Sequence, residues 1–300
     1  MDRTCTVELD SMRADLCARI DALLDEMLTT PEGPQARLHE AIRYAAIGGG
    51  KRLRPLLVLI SSRLFDVPEA CALRAGLAVE CIHAHSLIHD DLPCMDDDDL
   101  RRGKPTVHRA FDEATAVLAG DALLAFAFEI LADPATHEDG EVRANLVASL
   151  ARAAGMAGMA GGQMIDVLAP GLSLDLEAVA ELQKLKTGAL LAWSVEAGAI
   201  LGGATPEQIY CLDSYSACLG VAFQIADDLL DANGEEAKTG KRVGKDEGAG
   251  KQTFVSLLGP DRARHTAIAL AEEAKCHLAP FGEEADPLRA IADFAVARDH

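Results

Sequence analysis

The sequence predicts an all-α fold in one large domain. Ala, Leu, Glu and Arg recur at three- and four-residue spacing, whereas the two-residue alternation typical of strands is almost absent. Of the 300 residues, 49% are apolar, which is enough to build a sizeable core. No linker, repeat or low-complexity segment divides the chain, so we expect residues 1–300 to form a single domain.

Ten helical segments are predicted in chain order. The first carries one apolar stripe and stops before the sequence TTPEGP. The stripe consists of Leu9, Leu16, Ile20, Leu23, Leu24 and Met27. The other segments cover residues 35–46, 53–65, 69–90, 112–132, 141–160, 175–202, 206–230, 260–278 and 285–298. The breaks between them are short and contain Pro, Gly or Asp, as connections between helices usually do.

Two of these helices are apolar on nearly every side. They contain the sequences AGLAVECIHAHSLIH (75–89) and SYSACLGVAFQIA (214–226). A helix without a polar face belongs at the centre of a helical domain, covered by the others. Each of the two is followed directly by a cluster of aspartates, so the chain brings carboxylates to the ends of two core helices.

Composition narrows the class of function and the compartment. The formal net charge of −20 argues against binding to nucleic acid or to anionic lipid, because both reward clustered Lys and Arg. The acidic start of the chain is not a signal peptide, and no uncharged apolar stretch reaches the ~18 residues that span a bilayer. The eight cysteines form no CxxC pair and no zinc-ligand spacing. We therefore expect a soluble cytoplasmic protein with reduced thiols.

The second aspartate cluster is DDLLD, at residues 227–231. Asp227 and Asp231 are four residues apart, which places both carboxylates on one face of a helix. Like charges at this spacing destabilise a helix slightly, so the arrangement favours a bound cation. Magnesium fits, because it prefers carboxylate and water oxygens and accepts phosphate as a further ligand.

The first cluster is less regular. Asp90 and Asp96 are six residues apart and would lie on different faces of an ideal helix, and Pro93 between them lacks a backbone donor. The helix must therefore end, or carry an insertion, if both carboxylates are to reach one site. Asp97, Asp98 and Asp99 are interpreted as solvated loop carboxylates rather than ligands.

Basic residues complete the pattern. The sequence GGGKRLRP (48–55) offers Lys51 and Arg54 directly ahead of an apolar helix, but it lacks the Ser or Thr and the early Gly of a Walker loop. These side chains could bind a diphosphate without metal, Arg through two parallel hydrogen bonds. Arg101 and Arg102 form another pair beside the first cluster. The polar segment 232–253 follows the second cluster, which favours an active-site flap over an ordinary surface loop.

Seven motifs together resemble those of trans-isoprenyl diphosphate synthases of the bacterial farnesyl/geranylgeranyl type. In order they are GGGKRLRP, HSLIHDDLPCMDDDDLRRGKPT, LAGDALL, GGQMID, KTGAL, FQIADDLLD and GKDEGAGKQTF, and the resemblance covers essentially the whole chain. It implies a bundle of ten or more helices around a deep apolar cavity, usually in a homodimer. It also implies head-to-tail condensation of an allylic diphosphate with isopentenyl diphosphate, assisted by three Mg²⁺ ions.

The resemblance assigns roles to individual residues. The implied metal ligands are Asp90, Asp91, Asp96, Asp227 and Asp231. The implied contacts to isopentenyl diphosphate are Lys51, Arg54, His83 and Arg102. The implied cations on the allylic diphosphate are Arg101, Lys186 and Lys241, with Lys251 as a further candidate. The implied oxygens facing the developing carbocation belong to Thr187 and Gln224. No dedicated base is expected, because in the family the released pyrophosphate is thought to accept the proton.

Product length depends on the residue five positions before Asp90. In bacterial farnesyl synthases of this type an aromatic residue, commonly Tyr, closes the far end of the cavity from that position. Here it is His85, followed by Ser86. The floor of the cavity could instead come from the helix that carries Ala125, Phe126 and Phe128. A fifteen-carbon product is favoured, with a twenty-carbon product as the alternative. His89 is interpreted as structural.

Three rival functions are weighed against a synthase. A class I terpene cyclase also uses DDxxD, but its second metal motif has a different composition and it lacks a second diphosphate site. A regulatory partner subunit typically loses one aspartate cluster, whereas both are intact here. An acidic helical scaffold predicts that the two clusters do not meet in space.

Overall fold

The computed structural model describes residues 3–232 and 251–297, with side chains from residue 11 onward. The first half forms α1 (Arg3–Met27), α2 (Ala36–Ala46), α3 (Leu53–Arg63), α4 (Glu69–Asp90), α5 (Val107–Ala110), α6 (Glu113–Ala132) and α7 (Gly140–Ala154). The second half forms α8 (Met159–Leu168), α9 (Leu176–Gln183), α10 (Ala189–Leu201), α11 (Pro206–Ala232), α12 (Phe254–Leu258), α13 (Pro260–His277) and α14 (Asp286–Val296). The all-α prediction is confirmed.

Helix α4 is the centre of the bundle. It packs against α3 and α6, with further contacts to α1, α2 and α10. Its buried residues include Leu77, Val79 and Ile82, each with 0% of its surface exposed. Residues on every side of the helix are covered, as its continuous apolar sequence predicted.

The stripe predicted on α1 faces the core. Leu16, Ile20 and Leu24 are buried, and they recur every four residues as one helix face requires. Leu23 and Met27 are half-buried at the edge of the same core. The helix ends at Met27, before the Pro- and Gly-containing segment that the sequence marked as its stop.

Helix α11 joins two apolar clusters. Its N-terminal half contributes Leu212, Tyr215 and Leu219 to the main core. Its C-terminal half contributes Ile225 and Leu229 to a smaller cluster, which also contains side chains from α9, α12 and α13. The two clusters are therefore parts of one continuous packing arrangement along this helix.

Three helices begin at an aspartate whose side chain caps the first turn. Asp112, Asp139 and Asp175 each accept a hydrogen bond from a backbone N–H of the helix that follows, at 2.7 to 2.9 Å. Such a bond satisfies one of the donors that a helix start leaves without a partner. These caps fix the starts of α6, α7 and α9.

One predicted helix was wrong in its extent. The segment 141–160 is not continuous: α7 ends at Ala154, and α8 begins at Met159 and runs on to Leu168. A side chain at Gly158 would place its Cβ 2.1 Å from the carbonyl oxygen of Ala153, so the chain reverses tightly where only glycine fits. The break was not predicted because the segment is rich in alanine, which has a high helix propensity.

The predicted helix 175–202 contains a local change of pitch. Residues Lys184–Gly188 form a π-helical turn between α9 and α10. A π-turn inserts one residue into a helix and is frequent at functional sites. A short 3₁₀ segment, Ala279–Ala285, connects α13 to α14.

A two-stranded hairpin was not predicted. Its strands β1 (Leu100–Arg101) and β2 (Lys104–Pro105) are antiparallel. The two turn residues, Arg102 and Gly103, both have positive φ, 53° and 76°. This backbone suits a two-residue hairpin turn, but Arg is an uncommon residue at such a position, so the hairpin could not be predicted from residue type.

Two helices, α6 and α11, are long and apolar enough to cross a membrane by length and composition alone. In their most apolar windows 39% and 44% of the residues are buried inside the fold. Core helices of globular proteins meet the same criterion.

Candidate active site

One large cavity, of about 1190 Å³, opens among the C-terminal part of α4, the loop ahead of α3, α8, the π-turn and α11. Both predicted aspartate clusters contribute to its wall, through Asp90, Asp96 and Asp227. Most of the predicted diphosphate contacts line it too: Lys51, Arg54, His83, Arg101, Arg102 and Lys186. The convergence contradicts the scaffold hypothesis, which required the clusters to stay apart.

The first cluster forms because α4 ends where the sequence required. Asp90 is the last residue of the helix. The chain then folds back, and the backbone N–H of Asp96 donates to the carbonyl oxygen of Asp90 at 2.8 Å. Asp97 takes a left-handed conformation, with φ of 50°, to complete this turn. Two aspartates six residues apart thus lie on the same cavity wall.

Asp91 has a different environment from Asp90. Both of its carboxylate oxygens accept from Nε of Arg101 at 2.8 Å, and the two side chains are only 4% and 14% exposed. Asp91 lines a smaller recess behind the main cavity, next to Tyr44 and Pro105. A metal-ligand role for Asp91 stays a prediction, and the contact indicates that it positions Arg101.

The hairpin brings Arg102 against the glycine loop that precedes Lys51. A Cβ on Gly50 would lie 2.5 Å from Nη2 of Arg102, and one on Gly49 would lie 2.9 Å from Nη1. The glycines are therefore needed for the guanidinium to approach the loop. Burial lowers the pKa of Arg102, and the nearby Arg52 and Arg101 lower it further.

Arg52 holds the same loop from within. It has φ of 47° and is 3% exposed. Its guanidinium donates to Glu80, to Asp21 and to the carbonyl oxygen of Ala46, each at 2.6 Å. Arg52 thus anchors the loop from which Lys51 and Arg54 line the cavity.

Arg54 and His83 lie in a strongly positive environment. Nε of Arg54 is buried and makes no hydrogen bond within residues 3–232 and 251–297. Burial lowers the pKa of Arg54 and lowers that of His83 well below its usual range, with Arg54 and Arg102 adding to the effect on His83. A buried cationic donor without an acceptor beside a neutral imidazole is the environment expected of an anion-binding site.

The second cluster lies on α11. Asp227 lines the cavity, whereas Asp228 is buried. Asp228 accepts from Nε2 of Gln224 at 2.8 Å and from the backbone N–H of Phe254 at 2.9 Å. Gln224 and Asp231 are not on the cavity wall that the described residues form. Their predicted roles, toward the carbocation and the metal, therefore stay predictions.

The π-turn presents Lys186 and Thr187 to the cavity. Nζ of Lys186 donates to Asp166 on α8 at 2.6 Å, and Nζ of Lys251 donates to the same oxygen at 2.8 Å. Burial alone would raise the pKa of Asp166, but the two ammonium groups outweigh it and hold that pKa below its ordinary value. Lys241 lies outside the described residues.

Asp166 is a functional candidate that the sequence analysis missed. It belongs to the motif GGQMID (161–166), whose resemblance to the family assigns no role to a single residue. Gly162 of the same motif allows α8 to approach the π-turn closely, because a Cβ there would lie 2.3 Å from the backbone nitrogen of Lys186. The motif thus packs α8 directly onto the π-turn and sets Asp166 between two lysines.

His85, the residue on which product length was predicted to depend, lines the cavity together with His89. Nδ1 of His85 lies 3.0 Å from the carbonyl oxygen of Gly120, and Nε2 of His89 lies 3.1 Å from that of Val117. The two rings meet edge to face with centroids 4.6 Å apart. His89 therefore lines the cavity as well as supporting the fold.

Helix α6, the alternative source of a floor, meets the cavity at another position than predicted. Val117 is the residue of α6 on the cavity wall formed by the described residues, and Ala125, Phe126 and Phe128 are not part of that wall. The reason is that α6 begins beside the end of α4, so its first turns, and not its middle, meet the cavity. Met159, Met164 and Val167 of α8 extend the apolar lining.

Comparison with known proteins agrees with this geometry. A family model described as polyprenyl synthetase matches residues 35–276. A farnesyl diphosphate synthase of Bacillus subtilis is 44% identical over 98% of this chain and 100% of its own length. A chloroplastic geranylgeranyl pyrophosphate synthase of Catharanthus roseus is 46% identical over 88% of this chain and 74% of its own.

A solved structure extends the likeness to three dimensions. It is the apo form of an FPP/GFPP synthase from Zymomonas mobilis, which is 52% identical and has a TM-score of 0.90. The match covers 97% of this chain and 99% of that one. From the matched family model, the near full-length relatives and the cavity with its two aspartate clusters, it follows that this chain belongs to the polyprenyl synthetase family of prenyltransferases.

Proposed function

We propose that the enzyme condenses dimethylallyl or geranyl diphosphate with isopentenyl diphosphate, head to tail, and forms farnesyl diphosphate and pyrophosphate. The observation that carries this proposal is that two aspartate clusters and two groups of cations line one cavity with an apolar extension. Such a cavity suits two diphosphates and a hydrocarbon tail. Geranylgeranyl diphosphate is the alternative product.

The metal-free cation group fits isopentenyl diphosphate. Lys51, Arg54, Arg102 and His83 lie together, and Arg54 carries a buried donor that a phosphate oxygen would satisfy. Because the imidazole of His83 is held neutral, it donates or accepts a hydrogen bond without adding a further charge to the group. The glycine loop keeps these donors fixed before substrate arrives.

The allylic diphosphate fits the second group of cations. Lys186 and Lys251 are oriented by Asp166, and Arg101 is oriented by Asp91. In the reaction the C–O bond to pyrophosphate breaks, the double bond of isopentenyl diphosphate forms the new C–C bond, and a proton is lost to the pyrophosphate. Thr187 lines the cavity beside these lysines, where a hydroxyl dipole could stabilise the cation without reacting with it.

The carboxylates fit magnesium. Asp90, Asp96 and Asp227 offer hard oxygen donors on a single cavity, the ligand class that Mg²⁺ prefers. We propose three ions between these clusters and the allylic diphosphate, where they would offset the charge that develops on the leaving group.

We also propose a cytoplasmic homodimer in which residues 1–300 form one domain. Helix α6 supports the dimer, because the apolar side chain of Leu118 is 57% exposed. Light scattering after gel filtration tests it: the wild type should be a dimer, and L118E should shift toward monomer. A monomeric wild type would contradict the proposal.

The first test of function is an incubation with isopentenyl diphosphate, Mg²⁺ and each allylic primer, with product length read by mass spectrometry. A product that stops at fifteen carbons supports His85 and His89 as an effective floor. We expect H85Y to keep or shorten this product and H85A to lengthen it. A twenty-carbon product from the wild type would assign the geranylgeranyl alternative, and no condensation with any primer would favour a partner subunit.

A further inference from the structure

A second group of possible metal ligands lies away from the cavity, between α11 and α13. Cys218 is on α11, and Glu273 and His277 are four residues apart on α13. The thiol sulfur, one carboxylate oxygen and one imidazole nitrogen all lie within 4.8 Å of one another. We propose that these three residues form a binding site for a zinc-like divalent transition-metal ion.

The chemistry of the donors sets the class of ion. Thiolate, imidazole and carboxylate are the ligands of zinc sites, and three protein ligands with a water in the fourth position complete a tetrahedron. Magnesium does not suit a thiolate. The site therefore differs in kind from the all-oxygen aspartate clusters of the cavity.

The geometry is close to that of an occupied site. In a tetrahedral zinc site, ligand atoms are about 3.3–3.8 Å apart. Nε2 of His277 is 4.0 Å from Oε1 of Glu273, so this pair needs only a small rotation. The two residues share a helix face at the i, i+4 spacing, and α11 and α13 pack along each other, which fixes the position of Cys218.

The three ligand groups are not committed to stronger contacts. Among residues 11–232 and 251–297, no hydrogen bond reaches the thiol of Cys218 or the carboxylate of Glu273. By contrast, the neighbouring Glu272 accepts from Lys275 at 2.7 Å. In the absence of metal, burial and the nearby Glu273 raise the pKa of the Cys218 thiol, and a metal ion would displace that proton.

The site would link the two helices on which the second aspartate cluster depends. Cys218 is nine residues before Asp227 on α11, about 13 Å along the helix axis. A bound ion would therefore stabilise α11 against α13 without contacting substrate. It would raise the melting temperature rather than take part in condensation.

Cobalt is the probe of choice, because Co²⁺ bound to a thiolate shows a charge-transfer band in the near ultraviolet and tetrahedral d–d bands in the visible. The full chain is stripped with chelator, supplied with excess Mg²⁺ to occupy the aspartate clusters, and titrated with Co²⁺. We expect one equivalent to give the charge-transfer band, and Zn²⁺ to abolish it by displacing Co²⁺.

Variants separate the ligands from their neighbours. C218S should lose the charge-transfer band, and E273Q and H277N should weaken cobalt binding at least about tenfold. The controls C276S and E272Q, on the same helix, should keep both the band and the affinity. Zinc should raise the melting temperature of the wild type but not of C218S.

Two outcomes would overturn the proposal: no charge-transfer band in the wild type, or a band that survives in C218S and disappears in C276S. Prenyl transfer is measured separately with Mg²⁺ alone. C218S is expected to keep that activity, so the failure of the metal site and the failure of the proposed function are distinguishable.

Discussion

The two Asp–Asp pairs of the cavity divide their work in the same way. At the end of α4, Asp90 lines the cavity and Asp91 is buried. On α11, Asp227 lines the cavity and Asp228 is buried. In each pair the first carboxylate faces the cavity and the second is a structural anchor, because consecutive helical residues point about 100° apart.

The anchors differ in what they hold. Asp91 is paired with a charged group, Arg101, which the hairpin supplies. Asp228 accepts from neutral donors, the amide of Gln224 and the N–H of Phe254, at the point where the chain returns at α12. The first anchor therefore places a cation on the cavity, and the second fixes the backbone that follows residues 233–250.

The largest effect is expected at the cavity-facing members. D90N and D227N each remove one negative charge from the carboxylate group, and we expect kcat to fall about 10²–10³-fold with little loss of folding stability. Steady-state kinetics over a range of Mg²⁺ concentrations measures this. The matched control is D97N, at an exposed position with positive φ that Asn tolerates. An equal fall in kcat for D97N and D90N would contradict a special role for the cavity-facing aspartates.

The next effect separates the anchors by stability. D91N leaves Arg101 buried without its charged partner, which costs about 3–5 kcal/mol when a buried ion pair is broken. Because the carboxylate of Asp98 lies 3.8 Å from Arg101 and keeps part of the charge compensation, we expect a loss of stability at the lower end of this range. D228N keeps one acceptor oxygen and should cost about 1.5 kcal/mol. Urea unfolding of both variants gives the comparison, and a larger loss in D228N would reverse it.

A third experiment asks whether Asp166 serves as the lysine anchor. D166N leaves Lys186 and Lys251 without their shared carboxylate. We expect KM for the allylic diphosphate to rise about tenfold, which corresponds to the loss of one charge-assisted hydrogen bond. KM for isopentenyl diphosphate should stay the same. D175N, which alters only the cap of α9, is the control. Equal changes in both KM values would indicate a general structural role instead.

The sequence was most informative where a function follows helical periodicity. Asp227 was predicted from its position at the end of an apolar helix, and the end of α4 between Asp90 and Asp96 followed from their six-residue spacing. Contacts between distant segments were not accessible in this way. Asp166 accepts a hydrogen bond from Lys251, which is 85 positions later in the chain. The hairpin depends on a positive φ at Arg102, and arginine is not a residue type that predicts a turn.

The proposed metal site at Cys218, Glu273 and His277 was likewise not predictable from the sequence. Its cysteine and histidine are 59 positions apart, and none of the spacings that identify metal sites in a sequence applies to them. Periodicity predicts that Glu273 and His277 share a face. It does not predict which face of α11 they meet, because that depends on how α11 and α13 pack.

The smallest expected effect concerns His83, which lies among the arginines of the cavity. The pKa of His83 is well below its usual range because of burial and the adjacent arginines. The unfolded chain therefore binds a proton that the folded chain rejects as pH falls below about 6.5, and stability decreases on acidification. For one proton the slope is at most about 1.4 kcal/mol per pH unit.

H83N removes this titration from both states. Urea unfolding between pH 5.5 and 7 should show a shallower loss of stability in H83N than in the wild type, and H265N, an exposed histidine on α13, serves as the control. Parallel curves for wild type and H83N would mean that water or an anion already compensates the positive charge around Arg54. In that event Lys51, Arg54 and Arg102 would be less pre-organised for a diphosphate than their geometry indicates.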